Sequence, residues 1–184
     1  NDDEVPSISI TDVTIVEPTA TGGNAYAAFW VTLSNQHYLG LVTVDYQTTD
    51  ATLIDGSTSD RSATAGAGFD YVGLVPGTLS FGAGETEKFL TVTIKGDDID
   101  EYDEAFYVNL FNPAYSTIRD DRGYGIIMDT DAAPVVRIDP VGGQPSPNEF
   151  MVHVNEGNYL TQGVNFDVTL TGKTSRTVTV TWDA

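Results

Sequence analysis

The sequence predicts an all-β fold, an immunoglobulin-like antiparallel β-sandwich of seven strands followed by a partial second sandwich. Three observations carry this. No stretch sustains apolar residues at the 3.6 spacing of an amphipathic helix. Short runs rich in Val, Ile, Thr, Tyr and Phe alternate apolar and polar positions instead, as half-buried strands do. Clusters of Gly, Pro, Asn and Asp separate them at the close intervals of a sandwich.

The first strand is broken, running over Ser7 to Ile10 and Val13 to Val16, with Ile8, Ile10, Val13 and Ile15 facing the core. Glu17-Pro18 ends it, because proline lacks the N–H that a central ladder needs. Ala25 to Leu33 places Ala27, Phe29, Val31 and Leu33 on one face and Tyr26, Trp30 and Thr32 on the other. Leu41 to Thr49 turns Val42, Val44 and Tyr46 inward and stops at Asp50. Residues 51–68 are small, polar and glycine-bearing and read as a long loop. Thr78 to Phe81 follows the Pro76-Gly77 turn, and Glu87 to Lys95 presents Leu90, Val92 and Ile94 to the core. Ala105 to Phe111 buries Phe106, Val108 and Leu110 before Asn112-Pro113 breaks it; Tyr124 to Met128 closes the set, ending at Asp129-Thr130-Asp131.

Charge singles out one region. The 184 residues carry 27 acids and 8 bases, a net charge of −19, and residues 1–131 hold 22 of the acids and 5 of the bases. Asp97-Asp98-Ile99-Asp100-Glu101-Tyr102-Asp103-Glu104 packs six carboxylates into eight residues with no base among them. Such a run is either a solvated acidic turn or a loop that recruits a cation, and Ca2+, with about 6–8 oxygen ligands, suits it. Topology weighs between the two. If successive strands alternate in direction, Glu17, Asp50, the 97–104 loop, Asp129 and Asp131 all arrive at one end of the sandwich. The opposite end has His37, Tyr38 and Glu85, with Asp120 and Asp121 balanced by Arg119 and Arg122. One unbalanced end favours the calcium reading.

These residues carry a resemblance to the Calx-beta family, the repeat of the cytosolic part of sodium/calcium exchangers, of integrin β4 and of large bacterial surface proteins. The resemblance spans Val5 to Asp131. It lies in Pro6-Ser7-Ile8-Ser9-Ile10, Phe69-Asp70-Tyr71, Gly77-Thr78-Leu79-Ser80-Phe81 with Gly84-Glu85-Thr86, the 97–106 stretch and Asp129-Thr130-Asp131. It implies calcium ligands at Glu17, Asp50, Asp97, Glu101, Glu104, Asp129 and Asp131, with Ile99 offering its backbone carbonyl; Asp98 is a further candidate and Asp100 a weaker match. Two departures stand out: Gly96 occupies a place where well-ligated relatives carry Asp, and Thr130 interrupts the closing acids. Each removes an anionic oxygen, so fewer ions or weaker affinity is expected.

The remainder echoes the beginning. After a hinge at 132–134, Val135 to Asp139 resembles the first strand, 154–158 its end with Glu156 matching Glu17, Val164 to Leu170 the second strand and Thr177 to Trp182 the third. Residues 135–184 are therefore expected to form the first half of a second Calx-beta-like domain, and Asn1-Asp2-Asp3-Glu4 to resemble the close of a preceding repeat or a linker. Half a sandwich leaves sheet edges uncovered, so a strand-completing second chain is an expected partner. The expected partners are calcium ions and neighbouring repeats of the same chain.

Other classes are disfavoured. An acidic chain is unsuited to nucleic acid or an anionic membrane surface, and no apolar run approaches the about 20 residues of a membrane span. The chain has no cysteine, which excludes disulfides and thiolate metal sites. Crowded carboxylates on a tip lack the separated environments of a glycosidase pair, and His37 and His153 lie far from the acids, so no enzyme is expected. A calcium-binding structural repeat of a secreted or cell-surface, adhesin-like protein is the reading. The alternative is a glycan- or protein-recognition module using Tyr26, Trp30, Tyr107 and Phe111 or the 51–68 loop.

Overall fold

The computed structural model describes residues 4–19, 21–37, 40–53, 61–62, 70–140 and 166–181. In chain order the strands are β1 (Ser7–Ile10), β2 (Val13–Val16), β3 (Asn24–Leu33), β4 (Val42–Leu53), β5 (Arg61–Ser62), β6 (Tyr71–Val72), β7 (Gly77–Phe81) and β8 (Glu87–Lys95). They continue with β9 (Ile99–Asp100), β10 (Glu104–Ala114), β11 (Thr117–Ile118), β12 (Arg122–Met128), β13 (Val135–Pro140), β14 (Phe166–Thr171) and β15 (Lys173–Thr174). One sheet has the order β11-β1-β3-β8-β6; the other has β2-β12-β10-β4-β5, with β7 also on β4. The two sheets pack as an immunoglobulin-like sandwich.

The broken first strand serves both sheets. β1 pairs antiparallel with β3, whereas β2 pairs parallel with β12. Thr11 closes the first pairing, its N–H donating to the Trp30 carbonyl at 3.0 Å and its hydroxyl accepting from the Trp30 N–H at 3.0 Å. Asp12 opens the second by accepting from the Tyr124 N–H at 2.7 Å. The alternation read from sequence is the alternation observed: Ile8, Ile10, Phe29, Val31, Val42, Val44, Val92, Ile94, Phe106 and Val108 form the core.

Several elements differ from the sequence expectation, among them the third strand expected over Thr177 to Trp182, since 177–181 take no strand. β10 continues through Pro113 to Ala114, because its register on β4 shifts between Phe111 and Ala114 and Asn112 takes φ 50°. That bulge absorbs the proline where no ladder N–H is required. β4 runs past Asp50 to Leu53, because β10 extends opposite it and pairs Ala105 with Ala51. Part of the expected 51–68 loop is thus strand: Leu53 pairs with Arg61 and Thr52 with Ser62. Within 70–72, β6 pairs Tyr71 with Ile94. The rest of the expected loop, Tyr38, Phe69, His153, Glu156 and Trp182 lie outside the described residues.

β13 and β14 form an antiparallel pair whose register repeats that of β1 and β3. Val136 faces Leu170 and Ile138 faces Val168, as Ile8 faces Leu33 and Ile10 faces Val31. The burial differs: Ile8, Ile10, Val31 and Leu33 are 0–7% exposed, whereas Ile138, Val168 and Leu170 are 39–57% exposed.

Candidate metal centre

The acids at one end of the sandwich are brought together by four separate stretches. Glu17 follows β2, Asp70 precedes β6, Glu101 and Glu104 lie in and after the loop around β9, and Asp129 and Asp131 follow β12. They form two groups, Glu17 with Asp129 and Asp131, and Asp70 with Glu101 and Glu104. Within each group one carboxylate oxygen per residue lies within 4.8 Å of the others.

Backbone contacts fix this arrangement. The Glu17 N–H donates to the Met128 carbonyl at 2.9 Å, and the Asp97 N–H donates to Glu17 Oε1 at 3.1 Å. Asp97 Oδ1 accepts from the Ile99 N–H at 2.8 Å, Asp103 Oδ1 from the Asp129 N–H at 3.2 Å and Asp129 Oδ1 from the Asp131 N–H at 3.4 Å. The Lys95 N–H donates to the Asp70 carbonyl at 2.9 Å and ties that acid to β8. The loop thus holds its own acids by their backbones and leaves carboxylate oxygens facing one another.

Crowding shows in the acidities. Burial, followed by the charges of Asp97, Asp129 and Asp131, raises Glu17 to about 7, with the Asp97 N–H pulling the other way. Burial, a hydrogen bond with Asp70 and the charges of Asp70, Glu101 and Glu17 raise Glu104 to about 9. Glu101, Asp129 and Asp131 are also raised, in each case chiefly by burial. Asp131 Oδ2 is a buried acceptor with no hydrogen-bond partner. An all-oxygen, anionic donor set with an orphaned acceptor fits a hard divalent cation and not a soft one.

The other residues singled out by sequence fall as follows. Asp50 is outside both groups and accepts from the buried Tyr71 hydroxyl at 2.8 Å, while Tyr71 stacks on Phe106 at 4.4 Å. Ile99 lies in β9 beside Lys173. Asp98 is also outside both groups and pairs with the Lys173 ammonium, which lowers its pKa below the usual carboxylate range. Sequence reasoning missed Asp70 as a site residue, although Phe69-Asp70-Tyr71 was among the motifs; the signal was there but its strand is two residues long. Tyr71→Phe is expected to lower stability by about 1 kcal/mol, the net worth of one hydrogen bond, measured by urea unfolding. A loss several times larger would mean the hydroxyl holds more than Asp50.

Gly96 has a packing reason. A Cβ there would lie 1.8 Å from the Pro18 carbonyl oxygen. Its N–H donates to the Gly23 carbonyl at 2.9 Å and its carbonyl accepts from the Gly22 N–H at 3.1 Å, so the loop presses backbone against backbone.

Fold and site together define an immunoglobulin-like β-sandwich module with one carboxylate-lined end. The chain belongs to the Calx-beta family, whose domain profile matches residues 2–140. Sodium/calcium exchanger 2 of Homo sapiens is 48% identical over 59 residues, 32% of this chain and 6% of that protein. The sodium/calcium exchanger Calx of Drosophila melanogaster is 37% identical over 83 residues, 39% of this chain and 9% of that protein. The matched part therefore spans less than a tenth of either exchanger. Among solved structures, the apo-form Calx CBD1 domain is 25% identical with a TM-score of 0.50, covering 70% of this chain and all of that one. The calcium binding domain CBD12 of CALX1.1 is 27% identical with a TM-score of 0.50, covering 67% of this chain and 44% of that one.

Proposed function

We propose that the carboxylate-lined end binds Ca2+ and that the chain is a non-catalytic, calcium-binding structural repeat. The observation that carries this is the meeting of Glu17, Asp129 and Asp131, and of Asp70, Glu101 and Glu104, from four stretches of chain at distances a cation relieves. Membership of the Calx-beta family and likeness to a structure described as a calcium binding domain support it. In this reading those six side chains, with Asp50, Asp97 and the Ile99 carbonyl, supply the ligands. Residues 5–131 are the module, 132–134 a linker and 135–184 the beginning of a second one, a division supported by the shared register of β1–β3 and β13–β14. The exposed apolar face of β13–β14 is what the remaining strands, or a strand-completing second chain, would cover. Calcium then neutralises the end of one module where the next begins and stiffens the joint of a tandem array. Placement in an adhesin-like protein at the cell surface or outside the cell belongs to this proposal and rests on the β-repeat character alone. No helix among the described residues is long and apolar enough to cross a membrane.

Calorimetric calcium titration of the chelator-treated chain tests the reading. Saturable binding is expected, with a Kd anywhere from micromolar to about 1 mM. At 100 times Kd it adds about 2.7 kcal/mol of stability. The Glu101→Gln/Asp129→Asn variant is expected to lose both. Absence of heat up to tens of millimolar calcium would sink it.

One observation favours a second reading, recognition by exposed aromatics. Trp30 and Phe89, 45% and 57% exposed with ring centroids 5.4 Å apart, line a hollow of about 390 Å³ with Leu79, Glu87 and Lys88. Retention on glycan or protein arrays that Trp30→Ala abolishes while calcium binding persists would support it.

A further inference from the structure

The 97–104 loop has more carboxylates than the two metal-type groups use, and the surplus is engaged elsewhere. Asp98 and Asp100 belong to neither group. Both meet the turn that follows β14. β15 pairs parallel with β9, matching Lys173 with Ile99 and Thr174 with Asp100, and the Ser175 N–H donates to the Asp100 carbonyl at 3.2 Å. The Lys173 ammonium bonds Asp98 Oδ1. The Thr174 hydroxyl lies 2.8 Å from both Asp100 Oδ2 and the Asp100 carbonyl, and Arg176 Nη2 lies 3.5 Å from Asp100 Oδ1. The same guanidinium donates to the Glu101 carbonyl and rests 4.4 Å over the Tyr102 ring.

We infer that Asp98 and Asp100 form a docking site for a basic turn, here Lys173 to Arg176, that works without calcium and is separate from the metal-type carboxylates of the same loop. Asp100 is 4% exposed, and a carboxylate so deeply buried needs a charge partner. Both its oxygens face donors of the turn, Oδ1 the guanidinium and Oδ2 the hydroxyl. Asp98 is half exposed and adds a solvent-facing pair that salt screens. Recognition is geometric as well as ionic, since strand pairing sets the register and the Tyr102 ring supplies a face for the guanidinium. The loop thereby reads two kinds of cation, a metal through one set of acids and a Lys/Arg pair through the other. A hydrogen bond between Ser175 and the Glu101 carboxyl links the two sets.

Amide hydrogen exchange on the full 184-residue chain, with calcium titrations alongside, tests the inference. The Ser175 amide is expected to be protected in chelator and in saturating calcium alike. Lys173→Ala/Arg176→Ala is expected to cut that protection at least about tenfold and to leave the number of bound ions unchanged. Asp98→Asn/Asp100→Asn is expected to do the same, and near-UV circular dichroism reports whether the sandwich stays folded. Protection that appears only with calcium, protection that survives the Lys173/Arg176 variant, or loss of an ion in that variant would overturn the inference. Wild-type protein that binds no calcium yet protects Ser175 would overturn the calcium reading and leave the docking site standing.

Discussion

In chelator, the melting temperature of the chain is expected to fall by about 5–10 °C between pH 5 and pH 9, and saturating calcium to remove most of that fall. The sign follows from Glu17 and Glu104, raised to about 7 and about 9. An unfolded glutamate has released its proton by about pH 5. The folded chain therefore holds more protons than the unfolded one across this window, and each step up in pH favours unfolding. Their contribution is complete below the unfolded value and is lost as pH rises through 7 and then 9. A divalent ion substitutes for the protons and faces the same carboxylates in their charged state, so binding releases protons near pH 7 and levels the profile. Glu104→Gln is expected to flatten the alkaline limb, because it removes the last group to ionise. Calorimetric scans at constant ionic strength provide the measurement. A chelator profile that is flat, or that rises from pH 5 to 9, would show that the carboxylates are not crowded in solution.

Placing an acid at position 96, where the family resemblance implies Asp, is expected to harm the protein. Gly96→Asp should cost about 4 kcal/mol in urea unfolding and add no calcium ion. The obstacle is the backbone of Pro18, whose carbonyl oxygen lies 1.8 Å from where a Cβ would sit. No rotamer relieves a clash at Cβ, so two backbone segments must separate. The contacts of Gly96 with Gly22 and Gly23 at 3.1 and 2.9 Å would go with them. Gly96→Ala is the discriminating control: it should cost nearly as much without adding charge. If Gly96→Asp kept full stability and gained an ion, the close packing would be refuted and the glycine would be a simple loss of ligand.

Much of this molecule is legible in its sequence where strands alternate cleanly. Phe29 and Val31, Val92 and Ile94, Phe106 and Val108 announce their inward faces because successive side chains point to opposite sides of a sheet. Topology then carries Glu17, the 97–104 loop, Asp129 and Asp131 to one end by strand direction alone. What alternation does not encode was missed. β6 is two residues long, too short for a period to appear, so Tyr71 and the Asp70 beside it were assigned to no strand. Pro113 looked like a stop, because a bulge that accommodates proline depends on the partner strand β4 and not on the local residues. The separation of Asp98 and Asp100 from their neighbours was invisible for the same reason: it depends on a turn 75 residues further along.

The division of the first strand has one more consequence. β2 runs parallel to β12, the last strand of the sandwich, with Val13 to Val16 set against Gly125 to Met128. Tension applied between the two ends of the module would pull these strands in opposite directions along their length. Their ladder bonds would then be loaded together in shear, and not opened one at a time as when a hairpin is peeled. Detachment under load would thus require several bonds to yield at once, so resistance to pulling is governed by an unfolding rate and not by equilibrium stability.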